Sequence, residues 1–381
     1  MERKVNVPLT DLKREYAFLR DDINKELRFV FRSQKWVLGP QVYKFESRAS
    51  RYLNVKYALG AASGTDALLL SLRAFSLKFR KKSFFDKKDE IITTPFTFIS
   101  TAEAILRAGA SPVFVDIDPH TFNISPQAIK KAITKNTVGI IPVHLYGLPA
   151  DMNSIMNVAG KYGLFVLEDA AQAFGAIYEG KKTGAIGTAG AFSFFPSKNL
   201  AGYGDAGLIA TNDNMVYDYI KALRNHGQKK QYKADYLGYN SRLDSFQAAI
   251  LLAKLKYINR FNKKRMRAAR RYNRAFAKIR EIKTPFVPRG VTHIYHLYTI
   301  KVSSKRDKLI KFLNSKGIAA RLYYPYLLNQ MKVFKSCKVT GRLKNAKRVL
   351  SQVLTLPIHP FMRDEEINYI VKCVSRFFSE K

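Results

Sequence analysis

Short apolar runs alternate with amphipathic segments between about residue 90 and residue 211. The apolar runs are rich in β-branched residues, as buried strands are, and the segments between them repeat apolar residues with a helical period. This alternation predicts an α/β fold in which helices cover both faces of a mostly parallel sheet. The predicted strands are Glu90–Thr93, Pro112–Asp116, Val138–His144, Leu164–Asp169, Ala191–Phe195 and Leu208–Thr211. The predicted helices are Thr65–Phe75, Ile99–Ala108, Pro126–Ile133, Met152–Tyr162 and Asn214–Arg224.

The pattern changes after Asn240. An amphipathic stretch runs to about Ile279, and its length predicts one long helix that joins two lobes. Residues 285–381 mix apolar runs with helical-period segments, as a small α+β domain does. We therefore predict a large α/β domain with an N-terminal arm at residues 1–245. Residues 246–381 are predicted to form the linking helix and a small C-terminal α+β domain.

The length of 381 residues and the hydrophobic content of 47% support a large core, but the formal net charge of +37 is unusual. Such a charge introduces a second hypothesis, a protein that binds nucleic acid or an anionic membrane through phosphate contacts. The distribution weighs against it. Basic residues extend from Lys4 to Lys381, and the dense run from Lys263 to Arg271 is read as a solvated helix face because no nucleic-acid-reading module accompanies it.

No segment of the sequence predicts membrane insertion or secretion. Met1–Leu12 is polar and charged, and no apolar run approaches the roughly 18 residues of a membrane helix. Cys337 and Cys373 are too few for a disulfide framework, and neither belongs to a metal-type cluster. We therefore expect a cytoplasmic protein without a metal site.

Hydroxyl groups at the start of one predicted helix are the first candidate for ligand chemistry. Ser63, Gly64 and Thr65 precede a strongly helical run, and backbone N–H groups at a helix N-terminus bind phosphate well. Ser193 follows a later strand and would add another hydroxyl. The alternative is an ordinary N-cap and an ordinary strand serine.

Two polar residues, Asp169 and Gln172, follow an apolar strand. Asp169 stands at its carboxyl end, where open α/β sheets bind ligands. A carboxylate there would suit a protonated pyridine nitrogen, and Gln172 would suit the phenolic oxygen of the same ring. Glu168 is the rival carboxylate, although neighbours along a strand point to opposite faces. Helix capping is the alternative role for Asp169 and Gln172.

Lys198 completes the set that pyridoxal phosphate needs. It follows an aromatic strand and Pro196, and it precedes the glycine-rich segment Gly202–Gly207. This context presents an amine at a sheet edge beside a closely approaching ligand. Pyridoxal phosphate is an electron sink whose aldehyde is held by a lysine amine. The sequence therefore predicts a pyridoxal phosphate site in which Lys198 and Asp169 are the catalytic residues.

These residues lie within longer motifs, and through them the chain resembles the pyridoxal-phosphate-dependent sugar-nucleotide aminotransferases of the DegT/DnrJ/StrS type. These enzymes have the aspartate aminotransferase fold, fold type I. The resemblance covers nearly the whole chain. Its motifs are Val37-Leu38-Gly39-Pro40, Ser63-Gly64-Thr65-Asp66-Ala67, Thr94-Pro95-Phe96-Thr97-Phe98, Val115-Asp116-Ile117-Asp118, Glu168-Asp169-Ala170-Ala171-Gln172, Phe194-Phe195-Pro196-Ser197-Lys198, Tyr203-Gly204-Asp205 and Asn240-Ser241-Arg242-Leu243-Asp244.

The resemblance implies a role for each candidate. Lys198 would hold the cofactor, Asp169 would pair with the pyridinium, Gln172 would lie near the phenolic oxygen and Phe98 would stack on the ring. The implied phosphate contacts come from Ser63, Gly64, Thr65 and Ser193.

Asn240 is implied to reach the phosphate of the neighbouring subunit, so that the active form is a homodimer with shared sites. L-glutamate is the implied amino donor.

Three segments are most similar to enzymes that aminate C3 of a UDP-linked 3-keto N-acetylhexosaminuronic acid in surface-polysaccharide synthesis, such as that of lipopolysaccharide. They are His226–Gln228, Asn240–Ala249 and Leu356–Pro360. The implied substrate contacts are His226, Lys230, Tyr323 and Tyr324.

Two residues depart from this subgroup, since Tyr323 stands where a histidine is expected and Ala206 where a glycine is usual. A dTDP-3-keto-6-deoxyhexose or a 4-keto sugar nucleotide therefore stays open as the acceptor. Dehydratases of the family carry histidine in place of Lys198, which weighs against that class. A non-catalytic regulatory or nucleic-acid-binding relative is the remaining alternative.

Overall fold

The fold is taken from a computed structural model that describes residues 6–379. Residues 1–5 and 380–381, the outer ends of the two predicted domains, lie outside the described residues. The helices are α1 (Leu12–Ser33), α2 (Pro40–Leu53), α3 (Gly64–Phe75), α4 (Ser100–Arg107), α5 (Pro126–Ala132), α6 (Met152–Tyr162), α7 (Asn214–Leu223), α8 (Ser245–Leu255), α9 (Ile258–Phe276), α10 (Arg306–Ser315), α11 (Lys344–Gln352) and α12 (Asp364–Ser379).

The strands are short, and five residues is the longest. They are β1 (Tyr57–Ala61), β2 (Glu90–Thr93), β3 (Ser111–Phe114), β4 (Thr137–Ile140), β5 (Phe165–Asp169), β6 (Ile177–Tyr178), β7 (Lys181–Lys182), β8 (Ala189–Ser193), β9 (Gly207–Thr211), β10 (Gln228–Lys230), β11 (Lys233–Ala234), β12 (Ile282–Lys283), β13 (Val291–Thr292), β14 (Tyr298–Val302), β15 (Lys338–Val339) and β16 (Val353–Leu356).

Polar side chains set the starts of many helices. Each of these side chains accepts a hydrogen bond from a backbone N–H in the first turn, which otherwise has no partner. The capping residues are Asp11, Ser63, Ser125, Asp151, Asp213 and Asp244. Pro40 and Pro126 begin α2 and α5, where the missing N–H of proline carries no cost.

The main sheet has eight strands in the order β1-β9-β8-β5-β4-β2-β3-β15. Only β9 among them runs antiparallel to the rest, so the carboxyl ends of β1, β5 and β8 meet at one edge of the sheet. All six predicted strands and all five predicted helices are present, with bounds shifted by a few residues. The predicted α/β class with a mostly parallel sheet is therefore confirmed.

Helices cover both faces of this sheet. α3 packs between the sheet and helices α4 and α7, and its residues from Ala67 to Phe75 are all buried. α5 and α6 cover part of the opposite face, and α2 and α8 pack beside β1, β8 and β9. Because α3 is buried from Ala67 onward, its partly exposed N-terminus is held firmly at the edge where the strands end.

A second core lies around the antiparallel sheet β12-β14-β16, which α9, α10 and α12 cover. Backbone pairing at two places is among the connections that link this region to the large one. Val7 lies in the second core and pairs with the backbone of Gly317 and Ala319. In the other direction, β15 extends the main sheet beside β3. These contacts cross the domain boundary predicted at residues 245 and 246.

The prediction of one long helix from about Asn240 to Ile279 is wrong. The structure has two helices, α8 and α9, with a break at Lys256 and Tyr257. Contacts to α1 explain the break, since Lys254 pairs with Glu15 and the hydroxyl of Tyr257 donates to Asp22 at 2.6 Å. Tertiary contacts therefore override a continuous helical period. Within residues 6–379, no helix has both the length and the apolar content needed to cross a bilayer.

Candidate active site

A cavity of about 550 Å³ lies at the edge where β1, β5 and β8 end. This is where open α/β sheets bind ligands, because loops and helix N-termini meet there. Ten of the thirteen predicted site residues line it. They are Ser63, Gly64, Thr65, Phe98, Asp169, Gln172, Ser193, Lys198, Tyr323 and Tyr324.

The other three predicted residues do not line this cavity. His226, Lys230 and Asn240 are exposed and lie in or beside the short hairpin formed by β10 and β11. Their predicted contacts with substrate and with a neighbouring subunit stay predictions.

The N-terminus of α3 forms the wall predicted to bind phosphate. Ser63 caps the helix, since its Oγ accepts a hydrogen bond from the N–H of Asp66 at 3.1 Å. The hydroxyl groups of Thr65 and Ser100 are 2.7 Å apart. A Cβ added at Gly64 would lie 2.6 Å from Cβ of Ser193, so only glycine allows β8 to approach the helix this closely. Hydroxyls and the positive end of a helix therefore converge on the cavity.

Asp169 places a carboxylate at the end of β5. Its Oδ2 accepts a hydrogen bond from Oγ1 of Thr101 at 2.7 Å, and its Oδ1 accepts one from the N–H of Ala171 at 3.2 Å. Burial raises the pKa of Asp169, while the bond from Thr101, the bond from Ala171 and the charge of Lys198 oppose that rise. A cationic ring nitrogen in the cavity would supply the positive charge that is needed to balance the ionised form of this carboxylate.

Glu168, the rival carboxylate, is committed elsewhere. It is fully buried and accepts hydrogen bonds from the N–H groups of Gly184, Ile186 and Gly187, each at 2.7 Å. It also pairs with Nε2 of His144 at 2.9 Å. Nδ1 of His144 accepts from the N–H of Ala150, so Nε2 carries the proton and donates to Glu168. Glu168 therefore holds a loop together, and Asp169 is the carboxylate that faces the cavity.

Lys198 follows β8 in a tight loop, where its N–H donates to the carbonyl of Phe195 at 2.8 Å. Burial lowers the pKa of Lys198 to about 8, although the charge of Asp169 opposes that effect. At neutral pH about a tenth of such an amine is uncharged, far more than for an ordinary lysine. The uncharged amine is the form that attacks a carbonyl carbon.

An aromatic wall faces these groups. Gln172 accepts a hydrogen bond from the N–H of Tyr146 at 2.7 Å and donates one to the hydroxyl of Tyr324 at 3.0 Å. The ring of Phe98 lies 6.0 Å from that of Tyr324. Phe98 is 53% exposed, which leaves its ring available to stack on a ligand.

Sequence reasoning missed four residues of the site. Ser100 and Thr101 begin α4 and orient Thr65 and Asp169, and their signal was two hydroxyl residues just after Phe98. Asp205 lines the cavity. It belongs to the motif Tyr203-Gly204-Asp205, for which the sequence indicated no role. His296 also lines it, with Nδ1 at 3.2 Å from Oδ1 of Asn199, and no local pattern signalled it.

Residues 18–375 match the DegT/DnrJ/EryC1/StrS aminotransferase family. The match spans both lobes and every residue that lines the cavity except Leu9 and Thr10. The chain belongs to this family. The expected family, its aminotransferase class and its dependence on pyridoxal phosphate are thereby confirmed.

This aminotransferase has similar relatives over nearly its full length. It is 43% identical to a pleiotropic regulatory protein of Geobacillus stearothermophilus, with 98% of this chain and 99% of the relative covered. It is 41% identical to the UDP-N-acetyl-3-dehydro-alpha-D-glucosamine 3-aminotransferase of Acidithiobacillus ferrooxidans, with 99% of each chain covered. It is 38% identical to the UDP-2-acetamido-2-deoxy-3-oxo-D-glucuronate aminotransferase of Pseudomonas aeruginosa, with 96% and 98% covered.

A solved structure agrees with the fold. The crystal structure of S. venezuelae DesV in complex with a ketimine intermediate matches this aminotransferase with a TM-score of 0.93. The two sequences are 34% identical, and 99% of each chain is covered.

The residues of this aminotransferase fit pyridoxal phosphate. The fit rests on a buried carboxylate, a partly buried amine and a hydroxyl-lined helix N-terminus that share one cavity. Because Gly64 has no Cβ, Ser193 lies close against that helix N-terminus and lines the same cavity.

Proposed function

We propose that this aminotransferase moves an amino group from L-glutamate to the C3 ketone of a UDP-linked 3-keto N-acetylhexosaminuronic acid. The observation that carries the chemistry is that Lys198 and Asp169 line one cavity, with the pKa of the lysine lowered by burial. The acceptor is supported by the relatives in Acidithiobacillus and Pseudomonas, whose names describe UDP-linked 3-keto amino sugars. The product would serve surface-polysaccharide synthesis, including that of lipopolysaccharide, from the cytoplasm where nucleotide sugars are made.

Pyridoxal phosphate supplies an electron sink for the bond that breaks at the substrate carbon. Asp169, when ionised, would keep a proton on the ring nitrogen. Phe98 would stack on the ring and Gln172 would hydrogen-bond to it. Ser63, Thr65 and Ser193 offer hydroxyl donors to the phosphate.

Lys198 has two tasks in this proposal. Its amine would hold the cofactor through the aldehyde carbon, and once an amino donor has displaced it, the same amine would accept the proton that leaves the substrate carbon and return it. Both tasks need the uncharged amine, which a pKa of about 8 supplies near neutral pH. Only after both half-reactions does Lys198 return to its starting protonation and bonding.

The substrate contacts divide into two groups. Tyr323 and Tyr324 stand on the wall of the cavity and would contact the sugar. His226, Lys230 and Asn240 are exposed outside it, so we propose that they act across a homodimer, with Asn240 reaching the partner's phosphate site. Lys230 would attract the nucleotide diphosphate.

Tyr323 supports a second acceptor. A histidine is expected there for the UDP-linked uronic acids, so a dTDP-linked 3-keto-6-deoxyhexose remains the alternative substrate. A regulatory, non-catalytic role is disfavoured, because such a protein has no need for a lysine of lowered pKa beside a buried carboxylate.

The first experiment records the visible absorption of the purified protein with pyridoxal phosphate, before and after L-glutamate is added. We expect the band of the lysine-bound cofactor to appear and then to disappear. Lys198→Ala should not show the band before glutamate is added, whereas Lys161→Ala, which removes an exposed lysine on α6, should behave as wild type. A missing band in wild type would refute the proposal.

The second experiment adds an acceptor to the protein that has reacted with glutamate. Return of the band with the UDP-linked 3-keto uronic acid, faster than with a dTDP-linked 3-keto-6-deoxyhexose, supports the proposed substrate. The reverse order would replace it with the alternative.

A further inference from the structure

The residue that follows Lys198 is anchored in the protein interior. Residues from Phe195 to Lys198 are exposed or half-buried, and the N–H of Lys198 donates to the carbonyl of Phe195 across a tight loop. Asn199 is the first buried residue after Phe194. The position of the Lys198 amine therefore depends on how firmly Asn199 is held.

Three buried side chains meet at this point, and we refer to them as the clamp: Asn199, Asn262 and His296. They are 7%, 5% and 7% exposed, respectively. Nδ2 of Asn199 donates to Oδ1 of Asn262 at 2.8 Å and to the carbonyl of Ile294 at 3.3 Å. Nδ2 of Asn262 donates to the carbonyl of Phe174 at 3.2 Å. The proposed reaction gives none of the three clamp side chains a role.

The amide of Asn199 determines where His296 carries its proton. Nδ1 of His296 lies 3.2 Å from Oδ1 of Asn199. Because the amide nitrogen of Asn199 donates twice elsewhere, its oxygen is the acceptor and Nδ1 is the donor. Burial, together with the charges of Lys198 and Arg265, lowers the pKa of His296, so the ring is neutral at pH 7. The proton of the neutral ring is therefore on Nδ1.

The clamp connects the loop of Lys198 to the loop of Asp169. Asn199 directly follows Lys198, and Phe174 lies in the loop that begins after Asp169 at the end of β5. Asn262, on α9, bridges the two loops because it accepts from Asn199 and donates to Phe174. All four side-chain amide atoms of the two asparagines have partners. A fully paired buried network holds its parts in one arrangement.

We propose that the clamp positions the amine of Lys198 relative to Asp169, and that His296 contributes to it through its Nδ1 donor. The three are positioning residues, because they act on Lys198 through the backbone of Asn199. Reacting atoms must lie about 3–3.5 Å apart, and a displacement of about 1 Å can cost about 10²-fold in rate. The inference rests on the proposed function only for the two tasks of Lys198, and it holds for either acceptor sugar.

Loosening the clamp should also change the charge of Lys198. Burial lowers its pKa to about 8, and the charge of Asp169 opposes that shift. A loop that is free to move would bring the amine nearer to water, so its pKa should rise towards the ordinary value of about 10.4. A rise of about one pH unit would reduce the uncharged fraction at pH 7 about tenfold.

The test compares two replacements of one side chain. The amide nitrogen of asparagine takes the place of Nδ1 of histidine, and that of glutamine takes the place of Nε2. His296→Asn therefore keeps the donor to Asn199, and the pKa of Lys198 should follow wild type. His296→Gln removes that donor, and the pKa should rise by about one pH unit. The pH dependence of acetylation at Lys198 in the apoprotein, read by peptide mass spectrometry, measures this pKa without any cofactor.

The same variants are then compared in the half-reaction with L-glutamate. His296→Gln should slow the disappearance of the band about 10–100-fold, whereas His296→Asn should stay within a few-fold of wild type. Asn262→Ala should resemble His296→Gln. Its matched control is Asn273→Ala, since Asn273 lies on the same helix and accepts from the hydroxyl of Tyr298 at 2.7 Å.

A packing role would impair His296→Asn, the smaller side chain, at least as much as His296→Gln, and that result would overturn the proposal. Unchanged pKa and rate in His296→Gln would do the same. Nitrogen NMR of the wild-type apoprotein, labelled only in its six histidines, decides the matter even if the variants do not fold. A proton on Nδ1 of His296 is expected, and a proton on Nε2 would refute the clamp. Wild-type protein that never reacts with glutamate would instead refute the proposed function and leave the apoprotein results standing.

Discussion

The two faces of β5 carry neighbouring carboxylates with opposite uses. Glu168 on the inner face has four hydrogen-bond donors around it, three of them backbone N–H groups. Asp169 on the cavity face has two. The pKa of Asp169 is raised by burial, so its charge is only partly compensated by the protein.

The difference in hydrogen bonding suits Glu168 to stabilising the fold and Asp169 to binding a ligand, although the two are adjacent in sequence. A saturated carboxylate joins a strand to a loop and has no capacity left for a ligand. An undersaturated one costs stability in the apoprotein and gains a partner when a cationic ring binds. Substitutions on the cavity face should therefore abolish activity at little cost in stability, and those on the inner face should do the reverse.

The largest expected effect is that of Lys198→Ala. Removing the amine eliminates both the covalent attachment and the proton carrier, so turnover should fall by at least about 10⁴-fold. The urea midpoint of the apoprotein should stay close to that of wild type. Steady-state transamination and urea unfolding measure the two quantities, and retained turnover would contradict the assignment.

Asp169→Asn tests the cavity face of β5 itself. Loss of the charge beside the ring should lower turnover by about 10²–10³-fold, as for removal of one electrostatic partner at a reacting centre. The pKa of Asp169 is raised, so wild-type stability falls as the pH rises from about 4 through the folded-state pKa. The variant should lack that fall. A large loss of stability of the variant at pH 7 would mean that Asp169, like Glu168, mainly stabilises the fold.

Glu168→Gln tests the inner face. The amide would place an NH₂ group among four donors, and we expect about 3 kcal/mol of lost stability, or roughly 150-fold in the folding equilibrium. Urea unfolding at neutral pH gives this value. Turnover at low temperature, where the variant is folded, should stay within a few-fold of wild type. If turnover of the folded variant fell by much more than a few-fold, Glu168 would instead be a functional carboxylate.

The smallest effect concerns pH. The pKa of Lys198 is about 8 in the folded protein and about 10.4 in an unfolded chain. Between these values the unfolded state binds more protons, so the stability of the apoprotein gains a rising contribution with pH. Urea unfolding at pH 8, 9 and 10 should show this rise in wild type relative to Lys198→Ala. Parallel curves would mean that Lys198 titrates as an ordinary lysine.

The sequence predicted the residues at the cavity edge of the sheet well, because strand ends can be located from local pattern. Asp169, Ser193 and Lys198 each follow an apolar run, and parallel strands bring their carboxyl ends to one edge. The opposite orientation of Glu168 followed from the alternation of side chains along a strand.

The remaining features depend on contacts between distant residues. Thr101 reaches Asp169 across 68 positions, and His296 meets Asn199 across 97. The break between α8 and α9 depends on α1, more than 230 residues earlier in the chain. No periodicity encodes such pairs, so local pattern predicted neither the hydroxyl beside Asp169 nor the end of α8.

The walls of the active-site cavity include residues as early as Leu9 and as late as Ile358. During translation, therefore, Lys198 leaves the ribosome long before the last residues of the cavity that surrounds it. The emerging polypeptide holds an unfinished pocket while about 160 further residues are added, which at a typical elongation rate lasts on the order of ten seconds. A chaperone that shields the exposed strand edges has its opportunity in that interval.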